Sequence, residues 1–344
     1  DRLGTSLASA TQRLSRYAST AAVFLPGGAA PAVGERFAQA DLAATLRRVA
    51  ADGRDGFYRG RTAELVDAEM RRGGGVMTAA DLAAYEAKWR DPLRFEYRGH
   101  AIVSMPPPSS GGVTLAEILN VLEGYDLRAS GFLSADHVHV YAEAAKRAFA
   151  DRNTYLGDPD FVSQPIERMA SDAYAVERRT TIDMAHATPS TAVEPGLGVP
   201  GGGAGAVAEG AHTTHYSIVD GAGNAVAVTT TINSLYGNLV TVTGAGFLLN
   251  NEMDDFAAKP GSPNQFGLVQ GEANAVQPGK RMLSAMAPTI VLRPDGRLWL
   301  VTGSPGGPTI ISTVAQTVSQ VIDFDMDLVQ ATSSPRLHHQ HLPD

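Results

Sequence analysis

The chain has 344 residues, of which 44% are hydrophobic and 19% charged, a composition typical of one large or two ordinary globular domains. A net charge of −8 without any Lys/Arg run argues against a nucleic-acid surface, so we expect small molecules as partners. The absence of cysteine excludes a thiol nucleophile, a disulfide framework and a Cys-ligated zinc ion. No apolar stretch has the roughly 18–20 residues that a membrane span requires.

The first half of the chain has mainly helical patterns. Asp41 is expected to cap a helix that Gly53 ends, and Thr78 with Asp81 resembles a capping box. Two short alternating segments flank a turn at Arg98-Gly99-His100 and are predicted to be strands. The expected elements are, in chain order, helices at 41–51 and 62–72, a short helix after Thr78, strands at 93–97 and 101–104, a helix from about 113 and a helix at 135–155.

A glycine-rich stretch follows. Pro195 to Ala211 contains seven glycines in seventeen residues, a composition that cannot bury a core and that predicts a mobile linker. From Thr213 the pattern alternates with a period of two, as expected for a half-buried strand. The predicted elements beyond the linker are strands at 213–220, 225–232, 247–249, 289–292 and 298–302, and helices at 309–324 and 328–332.

The position of Thr213 suggests a specific chemistry. A threonine hydroxyl needs a base to take its proton, and a freed α-amino group on the same residue can be that base. This requires a backbone cut immediately before Thr213, for which a flexible preceding segment is suited. By itself the pattern leaves the alternative open that Thr213 is an ordinary residue at the start of a strand.

Several motifs, in order along the chain, resemble those of the γ-glutamyltransferase family. Upstream of the linker they are Met105-Pro106-Pro107-Pro108-Ser109-Ser110-Gly111-Gly112 and Ala150-Asp151-Arg152-Asn153-Thr154-Tyr155-Leu156-Gly157-Asp158-Pro159. Downstream they are Thr213-Thr214-His215-Tyr216-Ser217-Ile218-Val219-Asp220, Asn250-Asn251-Glu252-Met253-Asp254-Asp255-Phe256, Gly303-Ser304-Pro305-Gly306-Gly307 and Pro335-Arg336-Leu337-His338-His339-Gln340. The resemblance spans essentially the whole chain.

The resemblance implies an α+β N-terminal-nucleophile hydrolase fold, an αββα sandwich. It implies that a precursor cuts itself between His212 and Thr213. Residues 1–212 would then be the C-terminal part of a large subunit that ends in the linker. Residues 213–344 would be a small catalytic subunit, truncated at its C-terminus. The freed Thr213 would attack glutathione or another γ-glutamyl compound, and water or an acceptor amino acid or peptide would resolve the ester, without a cofactor or metal.

The resemblance also implies roles for individual residues. Thr231 matches the threonine whose hydroxyl contacts the nucleophile. Gly306 and Gly307 match the backbone amides of the oxyanion hole, where a missing Cβ allows close approach. The substrate-binding matches are Asn233, Glu252 and Asp255 for the ammonium group and Ser284 for the carboxylate. The segment from Lys259 to Gln270 matches a lid loop.

Two departures from the family pattern leave alternatives open. Ala285 stands where the family often has a second serine, so a glutaryl- or cephalosporin-type acylase of the same fold is one alternative, and a homologue that never matures is another. No residue of Asp1 to Arg36 matches the family's carboxylate-binding arginine. Because the chain starts at Asp1 without a visible signal peptide, we expect a fragment or processed product, located in the periplasm or outside the cell by resemblance.

Two further clusters have simpler interpretations. Neighbouring histidines on an extended segment point apart, so His338, His339 and His341 are not expected to share a metal ion. Ser109 and Ser110 are expected to form a structural loop, because no nucleophile-elbow motif accompanies them.

Overall fold

The computed structural model describes residues 2–198 and 213–342, which fall into two units. The first unit comprises Asp1–Trp89 and Tyr236–Asn251, and the second comprises Arg90–Leu235 and Glu252–Asp344. Each unit thus takes residues from both sides of the predicted cut, so these units are not the two predicted subunits. Most of the glycine-rich stretch and His212 lie outside the described residues, and the mobility of that linker stays a prediction. None of the helices in the described ranges combines the length and apolar character needed to cross a membrane.

The first unit is helical. Two short helices near its N-terminus share a core with Tyr236 and Leu239, and a second core includes Val66, Val242 and Ala245. Its elements are α1 (Arg2–Leu14), α2 (Ala18–Phe24), a 3₁₀ turn (Pro26–Gly28), α3 (Ala40–Asp52), α4 (Asp55–Tyr58), α5 (Gly60–Gly73) and α6 (Ala79–Ala84).

The capping box of α6 is confirmed: the Thr78 hydroxyl accepts from the Asp81 amide, and the Asp81 carboxylate accepts from the Thr78 amide. Gly53 and Gly74 end α3 and α5 with positive φ angles, as expected for glycine. The cap predicted at Asp41 is wrong, because α3 begins one residue earlier and Asp41 lies in its first turn.

The strand predicted at 247–249 is also wrong. Only Leu248 forms a β-bridge, with Thr241, across a tight turn in which Gly244 and Gly246 have positive φ angles. Two backbone hydrogen bonds hold this turn: the Val242 amide donates to the Phe247 carbonyl and the Leu249 amide donates to the Val240 carbonyl, both at 2.9 Å. An apolar triplet is too short to specify a strand when the chain turns back immediately before it.

The second unit is built around an antiparallel four-stranded sheet and a separate hairpin. The sheet has the order β1-β2-β5-β6, and the hairpin pairs β3 with β4. The strands are β1 (Leu93–Tyr97), β2 (His100–Ser104), β3 (Thr213–Val219), β4 (Ala225–Thr231), β5 (Thr289–Leu292) and β6 (Leu298–Thr302). The helices are α7 (Gly111–Leu122), α8 (Leu127–Ser130), α9 (Ala135–Tyr155), α10 (Ile166–Met169), α11 (Asp172–Arg179), α12 (Thr309–Asp323) and α13 (Leu328–Ser333), with 3₁₀ turns at Ser190–Ala192, Glu252–Asp255 and Glu272–Asn274.

Helix α7 lies at the centre of this unit, and every one of its residues is buried. It packs against α9 and α12, whose apolar residues form one continuous core with the sheet. The start of α7 approaches other backbone so closely that only glycine fits. A Cβ on Gly111 would lie 2.2 Å from the Met286 carbonyl oxygen, and one on Gly112 would lie 2.3 Å from that of Met105.

Buried charges fix the end of α9. Asp151 accepts from the Tyr174 hydroxyl at 2.7 Å and forms an ion pair with Arg178 at 3.2 Å. Burial, together with the neighbouring Asp151, raises the pKa of Glu117 well above its usual value, so Glu117 is the protonated member of this cluster. The cluster holds α7, α9 and α11 together next to Arg152, the following residue of α9.

Gly111→Ala is expected to destabilise the protein by about 1–3 kcal/mol, because the new methyl group would overlap a backbone carbonyl that cannot move independently. Gly221→Ala is the matched control, since a Cβ there meets open space and its φ is not positive. Urea denaturation of both variants measures the difference. Equal free energies of unfolding for the two variants would contradict the close packing at Gly111.

Candidate active site

Thr213 is the first residue of β3, and it lies directly opposite Thr231, the last residue of β4. The Thr213 hydroxyl points at the Thr231 hydroxyl, with 3.4 Å between the two Oγ1 atoms. The hairpin brings them together because its strands, rich in β-branched residues, pair without a bulge from Val219↔Ala225 to the open end. The chain therefore places two hydroxyls side by side where the strands end.

Asn233 connects this hydroxyl pair to a carboxylate. Its backbone N–H donates to Thr231 Oγ1 at 2.7 Å, and its side-chain amide donates to Asp255 Oδ1 at 2.9 Å. Both bonds depend on a left-handed backbone at Asn233, with φ 72°, a conformation that asparagine tolerates better than most residues. The link orients the Thr231 hydroxyl and the Asp255 carboxylate with respect to each other.

Ser284 is held by the loop that precedes α7. The amide and the hydroxyl of Ser110 both donate to the Ser284 carbonyl, at 2.8 and 2.7 Å. The Ser284 amide donates to the Pro108 carbonyl at 2.9 Å, and its hydroxyl accepts from the Met286 amide at 3.1 Å. Ser110 is fully buried, and its hydroxyl is engaged in this support.

Gly306 and Gly307 form the turn that leads into α12. Both have positive φ angles, 130° and 58°, which L side chains adopt only with strain. Their carbonyls accept from the amides of Thr309 and Ile310 at 3.2 and 3.0 Å, which fixes the turn at the N-terminus of the helix. Backbone amides at a helix start favour a developing negative charge.

One small cleft brings most of the predicted site residues together. Two predicted residues, Glu252 and Gly306, do not line the cleft. The lining residues are Arg152, Thr213, Thr231, Asn233, Asp255, Asn264, Phe266, Leu268, Leu283, Ser284, Ala285, Met286, Gly307, Pro308 and Ile310.

The two predicted ammonium-binding carboxylates have raised pKa values. Burial raises the pKa of Asp255 to about 7, although the Asn233 amide and the Arg152 cation oppose this change. Burial and the neighbouring Asp255 raise the pKa of Glu252 to about 7 as well. Both groups are therefore partly protonated at neutral pH, and a bound cation would restore their charge.

Arg152 is a charged residue of the cleft to which the sequence interpretation assigned no role. It belongs to the motif at 150–159 that carried part of the family resemblance, and its charged side chain at a helical position facing the core was the available signal. Burial lowers its pKa to about 10, so it is cationic at neutral pH. From the predicted lid, Asn264, Phe266 and Leu268 line the cleft.

The histidines near the C-terminus have separate partners. His338 Nδ1 lies 2.7 Å from the Ser312 hydroxyl, and His341 Nε2 lies 2.9 Å from the Ser190 carbonyl. Burial lowers the pKa of both rings, which favours their neutral forms. Within the described ranges, no group of three or more potential ligand residues is arranged to hold a metal ion.

A threonine at the start of a strand, beside a second hydroxyl and lining a cleft, suits a hydrolase in which an N-terminal threonine is the nucleophile. The fold agrees with this class. The structure of a cephalosporin acylase from Bacillus halodurans matches 94% of this chain and 56% of its own, with a TM-score of 0.77 and 27% identity. The model of the Gamma-glutamyltranspeptidase family matches residues 1–344, and the chain belongs to that family.

Two curated relatives within the family show which activities are found among similar proteins. The chain is 49% identical over 331 residues to a glutathione hydrolase proenzyme of Escherichia coli (strain K12), covering 96% of this chain and 56% of the relative. It is 41% identical over 324 residues to the acylase ACY 1 proenzyme of Pseudomonas sp. (strain SE83), covering 94% and 54%. The chain thus spans about half the length of the curated relatives it matches.

Binding of an α-amino acid such as L-glutamate should tighten as the pH rises through 7, because the carboxyls of Asp255 and Glu252 attract an ammonium group only when ionised. With pKa values of about 7, the affinity at pH 6 should be about tenfold lower than at pH 8. Titration calorimetry across this range measures it. Asp255→Asn should weaken binding at pH 8 and flatten the profile, and an unchanged wild-type affinity from pH 6 to 8 would contradict this account.

Proposed function

We propose that this protein cleaves γ-glutamyl amides such as glutathione and passes the γ-glutamyl group to water or to an acceptor amine. The observation that carries the proposal is the 3.4 Å approach of the Thr213 and Thr231 hydroxyls at the edge of a cleft that also contains Asn233, Asp255 and Ser284. Membership of the family and the 49% identity to a glutathione hydrolase proenzyme support the same activity.

Thr213 becomes the nucleophile in this proposal after a cut between His212 and Thr213. His212 lies outside the described residues, whereas Thr213 begins β3 next to the cleft. The cut would give Thr213 an α-amino group with an ordinary pKa near 8, close enough to its own hydroxyl to take the proton. Residues 1–212 and 213–344 would then belong to the large and the small subunit.

The proposed reaction has two stages. The α-amino group takes the hydroxyl proton as Thr213 Oγ1 attacks the γ-carbonyl carbon, and the developing oxyanion is stabilised by the amides of Gly306 and Gly307. The same proton passes to the leaving amine as the C–N bond breaks, which leaves a γ-glutamyl ester. Water or an acceptor amine then attacks the ester carbon, and Thr213 regains its proton. The Thr231 hydroxyl is in position to orient Thr213 Oγ1 throughout.

Recognition of the substrate head group follows from charge. An α-amino acid presents an ammonium and a carboxylate on one carbon. Asp255, oriented by Asn233, faces the cleft as the acceptor for the ammonium, and Glu252 adds negative charge nearby. The Ser284 hydroxyl is the proposed donor to the carboxylate. We further propose a periplasmic or extracellular location, which the family resemblance supports.

Thr213→Ala should abolish both the split into two chains and the release of a chromogenic amine from a γ-glutamyl anilide. Thr214→Ala is the matched control, because Thr214 is exposed, pairs with Thr230 and points to the opposite side of the hairpin. Gel electrophoresis and intact mass identify the cut. A Thr213→Ala protein that still splits after His212 would refute the assignment of the nucleophile, and a wild-type protein that never splits would indicate a non-maturing homologue.

A second candidate activity is a glutaryl- or cephalosporin-type acylase. One observation favours it: Ala285 lines the cleft beside Ser284 and has no hydroxyl to offer a substrate carboxylate. A hydrogen bond to a charged acceptor contributes roughly 1.5–3 kcal/mol, so its loss would weaken the grip on the carboxylate that both head groups share and loosen discrimination between related acyl groups. The similarity to acylase ACY 1 and to the cephalosporin acylase structure gives this candidate independent support.

The two activities predict opposite preferences between matched substrates. A γ-glutamyl anilide and a glutaryl anilide differ only in the α-amino group, which the Asp255 carboxylate is expected to bind. We expect kcat/KM to be at least about tenfold higher for the γ-glutamyl compound, as one charged hydrogen bond implies. A preference for the glutaryl compound would overturn the proposed γ-glutamyl specificity and favour the acylase.

A further inference from the structure

Arg152 is a buried cation with an unused donor. Its side chain is 1% exposed, yet it lines the cleft. Nε donates to the Ser110 hydroxyl at 3.0 Å, and Nη1 donates to Asn153 Oδ1 at 2.8 Å. Among the described residues, Nη2 has no hydrogen-bond partner and no carboxylate lies within ion-pair distance of Arg152.

Such a state is costly for an arginine. A buried charge is normally paired, because removal from water costs several kcal/mol unless an opposite charge and hydrogen bonds compensate. Asp255 attracts Arg152 electrostatically but does not contact it. The two charged groups therefore contribute opposite signs to one cleft, and the uncompensated positive charge of Arg152 favours an anion there.

The surroundings of Arg152 place this charge near Ser284. Arg152 Nε bonds the Ser110 hydroxyl, which in turn bonds the Ser284 carbonyl. The guanidinium is thus one residue removed from the turn that carries the proposed carboxylate-binding hydroxyl. Arginine suits this position, since its planar array of N–H donors matches a carboxylate.

We propose that Arg152 is a specificity-determining residue that selects ligands with an α-carboxylate next to Ser284. The inference rests on the proposed function, because it identifies the head-group chemistry of the same cleft. A zwitterionic α-amino acid would place its ammonium towards Asp255 and its carboxylate towards Arg152. Arg152 would also supply hydrogen-bond donors to the carboxylate in place of the side-chain hydroxyl that Ala285 lacks.

The test is ligand binding, measured by calorimetry on the intact protein with two matched probes. L-Glutamate and 4-aminobutyrate differ only in the α-carboxylate. The wild-type protein should bind L-glutamate at least about tenfold more tightly, as expected for one charge-assisted contact. At pH 8.5, above the Asp255 pKa of about 7, Arg152→Gln should reduce this ratio to about twofold or less while binding of 4-aminobutyrate stays within about twofold of wild type. Arg152→Lys, which keeps the charge, should show an intermediate ratio.

Ser110→Ala separates recognition from support. It removes the acceptor between Arg152 and Ser284 but keeps the guanidinium, so the preference for L-glutamate should fall only in part, whereas Arg152→Gln should remove it. Three results would overturn the proposal: a wild-type protein without preference for L-glutamate, an Arg152→Gln variant that keeps the wild-type ratio, or one that loses both ligands equally. Because binding needs no turnover, an inactive protein that still shows the Arg152-dependent preference would count against the proposed activity only.

Discussion

The close approach between the start of α7 and the turn at Ser284 is the constraint on which the cleft depends. Glycine at 111 and 112 lets the helix backbone reach the carbonyls of Met286 and Met105. At that distance Ser110 can donate twice to the Ser284 carbonyl, and Arg152 can reach Ser110 from α9. The position of the fully buried helix α7 therefore fixes the positions of Ser284 and Arg152, which are proposed to bind the substrate carboxylate.

The reacting end of the cleft has a different origin. A hairpin without bulges sets Thr213 opposite Thr231, and the left-handed backbone at Asn233 turns the chain so that one residue bonds both Thr231 and Asp255. The proposed nucleophile and the proposed head-group site are therefore linked through Thr231 and Asn233. The cleft also combines the Asp255 carboxylate, whose pKa is raised, with the buried Arg152 cation, and this pair of opposite charges suits the zwitterionic ligand of the proposed function.

Much of the secondary structure followed from local patterns. The helix at 135–155 and the strands at 93–97, 289–292 and 298–302 agree with prediction, because each combines clear periodicity with a defined start or stop. The strand predicted at 247–249 was wrong because Gly244 and Gly246, both with positive φ angles, turn the chain just before it. The helices at 2–14 and 172–179 were not predicted. The candidate site residues in the motifs were named from the sequence. The proposed role of Arg152 was not, because it depends on the contact with Ser110 and on the position in the cleft.

The sequence identified the candidate catalytic and binding residues, because motif order and residue type are properties of the chain. It also predicted where the hairpin turns, because Gly221, Gly223 and Asn224 are residue types that favour tight turns. Packing in three dimensions raises the pKa values of Asp255 and Glu252 and brings Arg152 into the same cleft as Asp255, with an Nη2 donor that has no partner among the described residues. Burial and through-space distance produce these properties, and both arise when residues far apart in sequence are packed together.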